Sequence, residues 1–340
     1  MKERYNNFDG LRAFAAFGII IMHVGANARY MINISEAARL VIGSFTNLVF
    51  LFMILSSFSI CCGYYDKLKN NEMSLETFYK RRFERVWPSF AILCTIDMIM
   101  NFRIEMLYEW FADLTLLFGL LPNARMDVIG VGWFLGVVFA FYMLFPFFVF
   151  AIGSRKRAWV ALAITMVFHF LCSVYFFDGK HVLEDFLGRA NIIYSSMFFV
   201  TGGLLYLYRA ELKRLADKYC IIILLAFAIC MIAYYTVAQS GYTLLVAFSF
   251  LMVALMHEGV FSRAILQNRL IRYVGSVSME LYLCHMMIYR ICEKLKTLYP
   301  TGNYVVDYAM ISVMVIIGGV VAATIINRFV VLLTSRIKGV

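Results

Sequence analysis

Residues 41–62 read VIGSFTNLVFLFMILSSFSICC, a run without a single charge. A membrane span needs about 20 mostly apolar residues at about 1.5 Å each, and this run has that length. Its apolar residues are continuous, whereas a strand of an outer-membrane barrel alternates in segments of about ten. The same character extends through the chain. Of 340 residues, 63% are hydrophobic and 15% charged, with only 4 prolines, and the mean hydropathy is +0.79. A soluble domain carries about 25% charge, and a disordered chain has low hydrophobicity. Both classes are excluded, and the expected fold is an all-α, polytopic transmembrane bundle forming one membrane-embedded domain over 1–340.

Ten candidate spans cover 8–28, 42–64, 86–102, 130–152, 158–177, 191–208, 219–238, 242–260, 273–292 and 304–327. An eleventh apolar piece, 110–121, is too short to cross and reads as re-entrant or interfacial. With the N-terminus inside, 22 of the 31 basic residues fall in cytoplasmic segments and 9 outside. That asymmetry sets both termini in the cytoplasm and accounts for the net charge of +10 without nucleic acid. Lys2 and Arg4 followed by the apolar residues 13–22 and Ala26-Asn27-Ala28 imitate a signal peptide. Asp9, Arg12 and His23 interrupt that pattern, so the segment is read as a retained helix. The eight cysteines form no C-x-x-C pair; they read as small core residues, with no metal site expected.

Ionisable groups inside spans are costly and face protein or a cavity, which makes three clusters informative. Arg12 and His23 are eleven positions apart, within about 20° of whole turns, so they share a face about 16 Å apart along the axis. Asp9 reads as a helix cap. Arg81, Arg82 and Arg85 precede Trp87 and Pro88, with Arg82 and Arg85 on one face. Guanidinium groups match phosphate oxygens, yet cytoplasmic anchoring explains the same residues. Ser278, Tyr282 and His285 share one face of the ninth span, with Glu280 about 140° from His285. Helix–helix hydrogen bonding is the plainer reading of this cluster, as of His23 alone. His169, His181 and His257 read as structural or surface residues.

Together these residues resemble acyltransferase family 3, the bacterial membrane O-acyltransferases of surface glycans. Phe8-Asp9-Gly10-Leu11-Arg12 with His23 is similar to the family's opening, and Phe50 to Ile60 to its second helix, with Ser57 where Gly is usual. Arg82-Phe83-Glu84-Arg85 resembles the family's Arg-x-x-Arg. Trp133-Phe134-Leu135 with Phe141, Tyr142 and Pro146 resembles its Trp-x-Leu segment, although Val138 stands where many members have Glu. Ser278, Tyr282 and His285 resemble the late motif. The similarity runs from residue 8 to about 330.

The resemblance implies acyl transfer, usually of acetyl, from cytoplasmic acyl-CoA (acetyl-CoA) to a hydroxyl of a surface or lipid-linked glycan at the bacterial cytoplasmic membrane. Arg82 and Arg85, with Arg81, would take the donor's phosphates. His23 would be the general base beside Arg12, and Asp9, Trp133, Ser278, Glu280, Tyr282 and His285 would support them. Arg12, Tyr282 or a backbone amide are candidate oxyanion donors. Two rivals remain at this stage, a transporter or flippase of a lipid-linked saccharide and a non-enzymatic membrane partner.

Overall fold

The computed structural model describes residues 5–27, 34–116, 118, 128–182, 187–297 and 299–338. Among them there is no strand. The helices are α1 (Asn6–Asn27), α2 (Glu36–Ser44), α3 (Leu48–Lys69), α4 (Leu75–Met100), α5 (Met106–Leu114), α6 (Trp133–Ala151) and α7 (Arg155–Leu171). They continue with α8 (Ile192–Leu207), α9 (Arg209–Thr236), α10 (Gly241–Ala254), α11 (Val260–Ile265), α12 (Arg269–Ser276), α13 (Ser278–Thr297) and α14 (Tyr304–Lys338). Lys2, Arg4, Ala28 and most of 117–127, on which parts of the sequence reading fall, lie outside the described residues.

Six helical stretches among the described residues are long and apolar enough to cross a membrane: Asn6–Asn27, Glu36–Lys69, Gly130–Ala151, Arg155–Phe176, Arg209–Thr236 and Tyr304–Ser335. α8 and α10 are shorter apolar helices. α4 and α13 fall at the third and ninth expected positions and carry charge along their length. They pack on each other, and buried Asp97 of α4 accepts from Arg290 of α13 at 2.6 Å. A charge pair of this kind keeps each ion out of lipid.

Burial separates inner from outer helices. In its most apolar stretch α1 is 67% buried and α9 only 6%. α1 lies against α3, α12, α13 and α14, and α3 lies against α8. The outer helices turn apolar faces outward, as a lipid solvent requires. α14 is the longest, about 50 Å at 1.5 Å per residue.

Local chemistry sets the helix ends. α3 stops where Asn71 takes φ +58°, and the amides of Asn71 and Glu72 return to the carbonyls of Leu68 and Lys67, a left-handed C-terminal turn. Ser74 then caps α4, its Oγ accepting from the amide of Thr77. α4 therefore begins well before the expected position 86, and the basic cluster lies inside the helix. Two expected spans are interrupted. Residues 42–64 are broken by a 3-10 turn at Phe45–Asn47, where Asn47 donates to the Tyr234 hydroxyl and Thr46 accepts from Arg189. Residues 273–292 are broken at Val277, between α12 and α13. Over 110–121 the described residues 110–114 end α5, a nine-residue helix about 14 Å long and too short to cross, and a turn follows at 115–116.

Candidate active site

Asp9 and Arg12 stand one turn apart at the start of α1. Arg12 Nη1 lies 3.0 Å from Asp9 Oδ1, and Nη2 donates to Ser59 Oγ of α3 at 2.5 Å. Two glycines bring this end of α1 against its neighbours. A Cβ on Gly10 would stand 2.3 Å from the carbonyl oxygen of Leu266, and one on Gly275 would stand 1.9 Å from that of Asp9. Nearby, the buried Asn7 donates to the carbonyls of Leu255 and His257 and accepts from Gln267. Arg12 is thus presented from a backbone clasped on two sides.

α4 brings the other two cations. Arg82 donates to the Tyr64 hydroxyl at 2.7 Å, and its guanidinium lies 4.5 Å from the centroid of the Tyr64 ring and 5.7 Å from that of Tyr142. Arg85, exposed, reaches the carbonyl of Ser276 at 3.4 Å. Pro88 follows and lacks the N–H that would pair with the carbonyl of Glu84.

Arg12, Arg82, Arg85 and Asp9 face one cavity of about 550 Å³. Its inner walls are apolar (Phe52, Ile60, Phe134, Leu135 and Val138) and studded with the hydroxyls of Ser56, Ser59, Ser278 and Tyr282. Ligand pockets commonly measure about 300–1,000 Å³. Three guanidinium groups against one carboxylate at the mouth suit a polyanion, and the apolar interior suits a thin neutral tail.

Tyr282 lines the cavity, and its ring meets Phe134 edge-on at 5.3 Å. Behind it stands His285, 5.7 Å away between ring centroids, and behind that His23, 5.1 Å from His285. His23 does not line the cavity. It is partly exposed, whereas His285 is 1% exposed. Ring contacts thus connect the cavity lining, through Tyr282 and His285, to His23.

The family model described as "Acyltransferase domain", that of acyltransferase family 3, matches residues 5–328. The chain belongs to this family. An acyltransferase family 3 assignment supports acyltransferase activity in a multi-pass membrane protein. A Haemophilus influenzae protein described as uncharacterized is 23% identical over 180 residues, covering 46% of this chain and 73% of its own. No solved structure matches.

Of the residues singled out from sequence, Asp9, Arg12, Arg82, Arg85, Ser278 and Tyr282 line the cavity of this family member. Arg81 is exposed and does not line it, and neither does Trp133, which packs edge-on to Phe134 at 6.0 Å. Glu280 is buried and turned away; its Oε1 accepts from Ser89 of α4 at 2.9 Å and from Asn327 of α14 at 3.5 Å. Sequence reasoning missed Ser59 and Tyr64, which hold Arg12 and Arg82, and named Tyr142 only as part of the Trp-x-Leu segment. Tyr64 stands at the end of the expected span 42–64, where an aromatic residue passes as an interface anchor. It also missed Arg189, which reads as an ordinary loop cation yet stands within electrostatic reach of both His23 and Tyr282.

Proposed function

We propose that the protein moves an acyl group, acetyl by preference, from cytoplasmic acyl-CoA to a hydroxyl of a surface or lipid-linked glycan. It would do so from the bacterial cytoplasmic membrane, with ten spans and both termini inside. The ten spans are the six long apolar stretches together with α4, α8, α10 and α13. The observation that carries this reading is the convergence of Arg12, Arg82 and Arg85 on one cavity that runs inward to Tyr282.

The arginines hold the phosphates of the donor by charge-assisted bonds. The pantetheine arm lies along the apolar wall and brings the thioester to the Tyr282 end. His23, beyond Tyr282 and partly exposed, meets the acceptor hydroxyl and takes its proton as the oxygen attacks the thioester carbon. Tyr282 stands between the cavity and the histidines, so its ring would swing aside for transfer; its hydroxyl and Arg189 are candidate donors to the developing oxyanion. Val138 leaves that wall of the cavity without a carboxylate.

Mass spectrometry of surface glycans tests the reading. Acyl groups present in the parent strain are expected to be missing from a deletion strain and restored by the intact gene. Identical glycans in all three would contradict a glycan acceptor.

A further inference from the structure

One ring nitrogen of His285 is engaged and the other is not. Nδ1 lies 2.5 Å from the carbonyl oxygen of Tyr282, one turn back on α13. A carbonyl only accepts, so Nδ1 carries a proton. In a neutral imidazole that leaves Nε2 as a bare acceptor. Nε2 is fully enclosed and has no hydrogen-bond partner among the described residues. Such a lone pair inside a protein is unfavourable unless something donates to it.

The neighbouring ring is His23, with centroids 5.1 Å apart and planes tilted by 44°. Two imidazoles joined by an N–H···N bond have centroids about 5 Å apart, a bond of about 2.9 Å plus the distance from each centroid to its nitrogen. The two rings make no hydrogen bond in the structure; the pairing requires the partly exposed His23 ring to turn an N–H toward Nε2. Glu280, the acid that precedes His285 by five positions, accepts from Ser89 and Asn327 through Oε1, while its Oε2 has no partner among the described residues; as a carboxylate it has no proton to donate to Nε2.

We propose that His285 is the positioning residue of His23: a neutral imidazole, locked in one tautomer by the Tyr282 carbonyl, that accepts the N–H of the catalytic ring. This rests on His23 acting as base in the reaction proposed above. His23 is held with one nitrogen toward His285 and the other, unprotonated, toward the acceptor hydroxyl. The hydroxyl proton passes to that nitrogen as the new C–O bond forms. The resulting imidazolium keeps its other N–H on His285 Nε2, and His285 itself stays neutral. When the C–S bond breaks, the thiolate of CoA takes the proton from His23, leaving the ester, free CoA and the starting imidazole.

The test uses the full-length protein in lipid nanodiscs. Acetyl-CoA is the donor, the acceptor is polysaccharide extracted from the deletion strain, and thiol release is the readout. His285→Phe, which fills the space without an acceptor, is expected to lower kcat by about 10- to 100-fold, the worth of a hydrogen bond to a group that becomes charged. The KM for acetyl-CoA should not move. His285→Gln, whose amide can present an acceptor, is expected to recover most of the rate. A wild-type rate in His285→Phe overturns the pairing. So does an equal loss in Phe and Gln variants that still show the wild-type melting transition, or a change confined to KM. No thiol release by the wild type would instead sink the proposed reaction, and the pairing with it.

Discussion

Gly10 and Arg12 divide one task. The missing side chain at Gly10 lets the Leu266 carbonyl press against α1, and that contact fixes the turn from which Arg12 reaches Asp9 and Ser59. The obstacle is backbone, which cannot rotate aside as a side chain can. Gly10→Ala is expected to cost about 1–3 kcal/mol, the usual range for overpacking, read as a lowered thermal midpoint in detergent. An unchanged midpoint would show that α1 slides freely past Leu266. Ser57 illustrates the reverse. Its space comes from Gly202 of α8, where an added Cβ would lie 2.7 Å from that of Ser57. At the cavity mouth, Arg82 is oriented by the Tyr64 hydroxyl and by two aromatic faces. Arg82→Ala is expected to raise the KM for acetyl-CoA about 10- to 100-fold, the worth of a charge-assisted bond of about 1.5–3 kcal/mol. An unaltered KM would make Arg82 an anchor of topology.

α4 shows what charge does to an element in a membrane. Its charged residues disqualify it as an apolar span, yet three of them find protein: Arg82 the tyrosines, Arg85 a carbonyl, Asp97 the guanidinium of Arg290. α5 docks against it and brings Asp113, fully buried, with Cys94 Sγ 3.9 Å from Oδ2 and no partner for Oδ1. Burial, followed by the charge of Glu109, pushes the Asp113 carboxyl up to about 8 from an ordinary 3.8. The sign follows from linkage: the folded state holds this proton when the unfolded state has lost it. The favourable difference is complete at low pH and is lost as pH rises toward 8. The melting midpoint of the wild type is therefore expected to fall between pH 5 and about 8 more steeply than that of Asp113→Asn. Parallel slopes would contradict the buried, neutral carboxyl.

Hydropathy made the helices legible because it belongs to each segment alone; 41–62 reads as membrane whatever surrounds it. The breaks at 45–47 and at Val277 were not legible. The first rests on hydrogen bonds to Tyr234 and Arg189, more than a hundred positions away in the chain. The face shared by Arg82 and Arg85 followed from helical spacing, as did that of Ser278 and Tyr282. That His23 lies outside the cavity lined by Tyr282 did not, since the wall there is shared with Phe134 from another helix.

For the whole molecule, the proposed topology places the turn at Asn71 in the cytoplasm and the turn at Gln239 outside. Epitopes inserted there are expected to bind antibody from opposite faces, the second in intact spheroplasts and the first only after permeabilisation. Access to both from the same face would break the ten-span arrangement. The proposed chemistry meets its most direct test in one comparison in nanodiscs: transfer of labelled acetyl from acetyl-CoA to extracted surface polysaccharide by wild-type protein and by His23→Ala. Label in the polysaccharide with the wild type, reduced about 10²- to 10⁴-fold by loss of the general base while the variant still binds acetyl-CoA, is the expected result. Undiminished transfer by His23→Ala would contradict it.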